Sequence, residues 1–177
     1  MEKNASPAKH ALLYGVLFGF IMILEFVIMY VIGMKSLVNS NIGLTVNVAN
    51  YLVLPILFIF LNCHNYKKNI NNGFISLGDS LKIGISTTFI AAFIYATFNV
   101  LFNILYPDFI NEMVAISKEA MISKSPNLTS EQLEEGIAMM KKFMNPFIVF
   151  PVTLAMYSFF GLLYSLIIGT LVKNEKP

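Results

Sequence analysis

The chain has 177 residues, of which 56% are hydrophobic and only 12% charged, with a net charge of +2. Soluble domains carry about 25% charged residues, so this balance excludes an ordinary soluble globular domain and points to the membrane class. All twelve basic residues are Lys; without Arg the favoured bidentate contacts to phosphates and base edges are missing, which argues against a nucleic-acid partner.

Four apolar stretches follow along the chain, at about residues 11–33, 45–63, 82–106 and 146–172. A helix rises about 1.5 Å per residue and must cross about 30 Å of hydrocarbon, so each stretch is long enough for one span, and only helices pair all their backbone groups in lipid. The first stretch follows Lys3 and Lys9 but exceeds a signal-peptide core, and Met34-Lys35-Ser36-Leu37 offers no small-x-small cleavage site, so a retained span is predicted. It contains Glu25, alone in apolar surroundings and about 12 Å below the outer end by helical rise. A carboxyl at that depth is expected to be protonated or hydrogen-bonded, because a charge in hydrocarbon is costly. Asn50 and Tyr51 in the second stretch, Tyr95 and Asn99 in the third, and Thr153 and Tyr157 in the fourth reach similar depths. Glu25, Asn50, Tyr95 and Asn99 therefore form the candidate intramembrane polar cluster, serving either to fix helix packing or to couple protons or pass ions.

Gly15-x-x-x-Gly19 in the first stretch and Ser158, Gly161, Ser165 and Gly169 in the fourth place small residues on single helix faces. Such stripes let backbones approach closely, here as packing seams within the chain, with homodimerisation as the alternative. Pro55 and Pro151 are candidate kinks.

The connections carry the polar residues. Residues 62–76 are rich in Asn, with Lys67, Lys68 and Gly73, and read as a solvated turn; Ser76 and Asp79 then have capping-box spacing ahead of the third stretch. Residues 107–145 read as an amphipathic helical hairpin. A first helix runs from Asp108 to Ile122, a break includes Pro126, and a second capping box, Thr129 and Gln132, opens a helix over 130–144. On that helix Leu133, Ile137, Met140 and Met144 share one stripe, to be packed on the bundle or offered to a partner or the membrane surface. If four helices alternate, Lys3, Lys9, Lys67, Lys68, Lys82, Lys173 and Lys176 fall on one side. The lysine bias then puts both termini in the cytoplasm and the hairpin outside a cytoplasmic (inner) membrane, with tyrosines such as Tyr14, Tyr66 and Tyr164 at the inner interface.

No catalytic constellation is present: there is no G-x-S-x-G, no H-E-x-x-H and no Gly-rich phosphate loop, so neither catalysis nor a cofactor is expected. Cys63-His64 is the only adjacent ligand pair; with His10 the one other histidine, no metal site is expected.

Taken in order, Gly73-Phe74-Ile75-Ser76-Leu77-Gly78-Asp79-Ser80-Leu81-Lys82-Ile83-Gly84, then Pro107-Asp108-Phe109, then Thr129-Ser130-Glu131-Gln132-Leu133-Glu134, the chain resembles a family of small bacterial four-span proteins called domain of unknown function 4199. The resemblance implies an integral membrane protein with a polar segment between its last two helices, and it implies no activity and no site residues. The expected fold is thus an all-α membrane four-helix bundle with an external helical hairpin between spans three and four. The expected role is structural or accessory, with two alternatives: a small proton-coupled transporter or channel using Glu25, or a module that binds an envelope protein through the hairpin.

Overall fold

The computed structural model describes residues 6–35 and 42–175; Lys3, Ser36, Leu37 and Lys176 lie outside the described residues. Six helices are named here: α1 (Pro7–Ile32), α2 (Ile42–Ile70), α3 (Leu77–Leu105), α4 (Phe109–Lys124), α5 (Ser130–Met144) and α6 (Pro146–Val172). α1, α2, α3 and α6 are long and apolar enough to cross a membrane, and α4 and α5 make the hairpin between the last two.

The first three long helices extend beyond the apolar stretches that announce them, for local reasons. α1 starts at Pro7, whose missing N–H costs nothing in the first turn. α3 starts at Leu77 because Ser76 caps it: Asp79 N–H donates to Ser76 Oγ at 3.0 Å, and Ser76 N–H donates back to Asp79 Oδ2 at 3.2 Å. α2 departs most, running to Ile70 where the asparagine-rich sequence reads as a turn from residue 62. Asn62 is fully buried and its amide donates to Thr87 Oγ1 on α3 at 2.8 Å, while Thr87 donates to Ile83 O. That partner lets a polar residue continue the helix into the core. The actual turn is short, with Asn72 (φ 51°) and Gly73 (φ 87°) both in the left-handed region.

α3 is the central element, contacting α1, α2 and α6. Gly15 and Gly19 of α1 face it: a Cβ at Gly15 would come within 2.9 Å of Thr87 O, and one at Gly19 within 3.1 Å of Ala91 O. On the α6 side Gly84 meets Ser165 and Gly161, Gly161 meets Thr88, and Gly169 meets Ser80. Gly161, Ser165 and Gly169 are buried, whereas Ser158 is half-buried and its hydroxyl donates to Leu154 O of its own helix at 2.7 Å. These small residues set backbone-to-backbone distances, which supply the packing contact that apolar side chains cannot supply against equally apolar lipid.

α1 and α3 run parallel and α2 and α6 run opposite to them, as the pairs Gly15–Ile90 with Gly19–Ile94, Phe18–Phe58 with Glu25–Asn50, and Gly84–Gly161 with Phe93–Phe150 require. One end of the bundle therefore gathers the start of α1, the α2–α3 turn and the end of α6. It is fastened by an antiparallel bridge between Ile75 and Asn174, by Lys67 Nζ donating to Val172 O at 2.9 Å, and by the His10 ring against Tyr66. Tyr66 is buried in this clasp. The opposite end carries the hairpin. Thr129 and Gln132 form the second capping box, and Asn145 caps α6 by accepting from Phe147 N–H at 3.0 Å. Lys35 pairs with Glu119 at 2.7 Å, but both are mostly exposed, so the pair stabilises by at most about 1 kcal/mol.

Two glycine substitutions separate seam from surface. Gly161→Ala forces a methyl into Thr88 and the Gly84 carbonyl and should destabilise the protein by about 1–3 kcal/mol in a detergent unfolding titration. Gly136→Ala on α5 meets only Met121 at 3.7 Å and should be neutral or stabilising by up to about 1 kcal/mol.

Candidate functional site

The polar cluster is built around a fault in α2. Residues Ala49–Val53 form a π turn, in which Leu54 N–H reaches back to Ala49 O in place of Asn50 O. The cause is Pro55. In α register the N–H of residue 55 would serve Tyr51 O, and in π register it would serve Asn50 O; proline serves neither. The shift of Leu54 to Ala49 O vacates Asn50 O and the missing N–H of Pro55 vacates Tyr51 O, so two carbonyls in the middle of a long apolar helix need another donor in lipid. Both find a tyrosine of α6: Tyr164 Oη donates to Tyr51 O at 2.7 Å, and Tyr157 Oη donates to Asn50 O at 3.4 Å. The Tyr51 ring lies 5.6 Å from that of Tyr157 and 5.9 Å from that of Phe160, which seats the turn against α6.

The same turn presents Asn50 to α1. Asn50 Nδ2 donates to Glu25 Oε2 at 2.7 Å. Tyr95 of α3 and Tyr157 of α6 lie within electrostatic range of Glu25. Asn99 does not bond to Glu25; its amide donates along its own helix to Tyr95 O, at 3.4 Å. Of the four residues singled out in the sequence, then, Glu25 and Asn50 are bonded, Tyr95 is an electrostatic neighbour, and Asn99 sits a turn further along α3.

Glu25 is separated from the glycine seam. Gly15 and Gly19 point to α3 while Glu25 points to α2. On the terminal side of Glu25 the bundle closes over Phe18, Met22, Phe58, Ala91, Ala92 and Tyr157, with the Phe18 and Phe58 rings stacked 5.2 Å apart. On the hairpin side Phe26 packs edge-on to Phe98, Phe102 and Phe109. Asn99 and Asn103 line a cavity of about 150 Å³ roofed by Phe109, Met113 and Phe143 of the hairpin.

Tyr164 was legible only as an interfacial tyrosine; the structure puts its hydroxyl on the Tyr51 carbonyl, and the sequence signal for that role was Pro55. Asn103 had no signal beyond being polar in the last turns of α3. Cys63 and His64 do not converge: Cys63 is buried among Ile59, Tyr66, Ile75, Ile83 and Ile168, while His64 is exposed and stacks on Phe60. Among the described residues no three His, Cys, Asp or Glu side chains gather where they could hold a metal ion. The stripe Leu133, Ile137, Met140 and Met144 is half-buried on a helix that contacts α4 and α6, so it is not a free surface.

Four long apolar helices, joined inside the apolar zone by a carboxyl–amide–tyrosine cluster, define a helical membrane protein. Within that class the chain belongs to the DUF4199 family, proteins of unknown function, whose family model matches residues 13–174. No curated protein and no solved structure matches the chain.

A double-mutant cycle tests the origin of the cluster. Tyr164→Phe should destabilise the native protein by about 0.5–1.5 kcal/mol, since one carbonyl in the apolar zone loses its donor. Pro55→Ala restores that donor to the helix, so Tyr164→Phe in the Pro55→Ala background should cost measurably less in the same unfolding assay.

Proposed function

We propose that this chain is a multi-pass protein of a bacterial cytoplasmic membrane with a structural or accessory, non-catalytic role. The observation that carries the role is the bond from Asn50 to Glu25. The carboxyl is engaged by a neighbouring helix, in a group of contacts that joins α1, α2 and α6, and so acts as a fastener within the bundle. Both termini are assigned to the cytoplasm. This orientation is supported by Lys9, Lys67, Lys68, Lys82 and Lys173 at the clasped end, against the acid-rich hairpin at the other.

A second reading, proton-coupled transport or ion passage through Glu25, is favoured by one specific observation. The π turn interrupts α2 where Asn50 meets Glu25, the one carboxyl of α1, and takes two backbone carbonyls out of the helix ladder onto tyrosine hydroxyls, the kind of helix interruption from which transporter sites are built.

One substitution separates the two readings. Glu25→Gln keeps an oxygen for the Asn50 amide and removes the titratable group. In a deletion strain screened for drug, ion and envelope-stress phenotypes, Glu25→Gln should accumulate normally and restore the wild-type phenotype, whereas Glu25→Leu should lower the amount of folded protein. A Glu25→Gln protein that accumulates normally but fails to complement would overturn the structural role in favour of transport. For orientation, a fluorescent-protein fusion at the C-terminus should light up and an alkaline-phosphatase fusion there should be inactive.

A further inference from the structure

On α3, Tyr95, Asn99 and Asn103 recur at intervals of four and form one polar stripe about 12 Å long by helical rise. It runs from Tyr95, which packs on the cluster containing Tyr157, the residue bonded to Asn50 beside Glu25, to the cavity beneath the hairpin that Asn99 and Asn103 line. Two buried acceptors, one on this stripe and one on α2 beside Glu25, have no partner among the described residues. Asn103 Nδ2 donates to Asn99 O at 2.8 Å, which fixes the amide and leaves Oδ1 buried without a partner among the described residues. Asn50 Nδ2 is likewise taken by Glu25, and Asn50 Oδ1 is buried and unpartnered. Buried acceptors are rarely left unpaired, because an unmade hydrogen bond costs the full desolvation of the group. Among the described residues no donor meets either oxygen, and water can supply one. Water fits: the cavity of about 150 Å³ holds several molecules at liquid density of about 30 Å³ each.

We propose that this stripe and the cavity above it form a hydrated half-route that brings water from the hairpin end of the bundle to Glu25. It is one-sided, because Phe18, Met22, Phe58 and Tyr157 close the bundle toward the terminal end. α4 and α5 roof its mouth. The route is a binding site for water and, through it, for protons. It goes beyond the fastening role of Glu25 and holds whether or not the protein transports anything, so its failure is distinguishable from failure of that role in the complementation assay.

The test uses the full-length protein in intact cells and sealed inverted vesicles. In a Cys63→Ala background, Asn103→Cys, Asn99→Cys and Tyr95→Cys are challenged with a membrane-impermeant methanethiosulfonate. Leu101→Cys, exposed on the apolar outside of α3, is the lipid-facing control. All three stripe positions should react from the hairpin side roughly a hundredfold faster than Leu101→Cys, since the reactive thiolate forms only where water reaches. None should react from the terminal side. Unreactive Asn99→Cys and Tyr95→Cys, or equal reaction from both sides, would overturn the half-route. Because these variants replace packed residues, the wild-type protein supplies a second measurement. A water-soluble carbodiimide with an added amine should modify Glu25 from the hairpin side, read as a mass shift on the α1 peptide. Modification by a lipid-soluble carbodiimide alone would show a dry carboxyl and sink the proposal.

Discussion

The structure turns on one missing hydrogen. Pro55 has no N–H to give, and in hydrocarbon no water makes up the loss. The helix answers with a π turn at Ala49–Val53, and the two carbonyls left over accept from Tyr157 and Tyr164. The polar contacts around Glu25 follow from that answer. The turn commits α2 to α6, directs the Asn50 amide toward α1, and so gives Glu25 a partner at a depth where a carboxyl cannot be left alone. Without the proline, the asparagine and the two tyrosines would each need another reason to be there.

The glycine seams do the complementary work. Leucine against leucine gains little over leucine against lipid, so these helices associate where backbones can touch. Gly15 and Gly19 set α1 on one side of α3, and Gly84 against Gly161 sets α6 on the other. Aromatic rings pack between α1 and its neighbours on either side of Glu25, with Phe18, Phe58 and Tyr157 toward the terminal end and Phe26, Phe98, Phe102 and Phe109 toward the hairpin, while the cavity lined by Asn99 and Asn103 stays open beside them.

Local features were legible in the sequence, and distant ones were not. The four apolar stretches and both capping boxes depend on residues within a helical turn or a single helix length, and Ser76 with Asp79 and Thr129 with Gln132 behave as their spacing indicates. The depth argument that grouped Glu25 with Asn50 needed only a rise per residue. The end of α2 could not be read, because the burial of Asn62 depends on Thr87 in another helix. The roles of Tyr157 and Tyr164 could not be read either: Pro55 marks where α2 lacks a donor, but the hydroxyls that replace it lie more than a hundred residues away in the chain.

Membership of DUF4199 supplies a family without an activity, so the role rests on the cluster itself. The most direct measurement of the account is the infrared amide frequency of a carbon-13-labelled carbonyl at Tyr51, in the native protein and in Tyr164→Phe. If the Tyr164 hydroxyl serves this carbonyl, the labelled band lies at low frequency in the native protein and moves up when the hydroxyl is removed. An unchanged band would mean that the Tyr51 carbonyl has another donor, and the link from Pro55 to Glu25 would be contradicted.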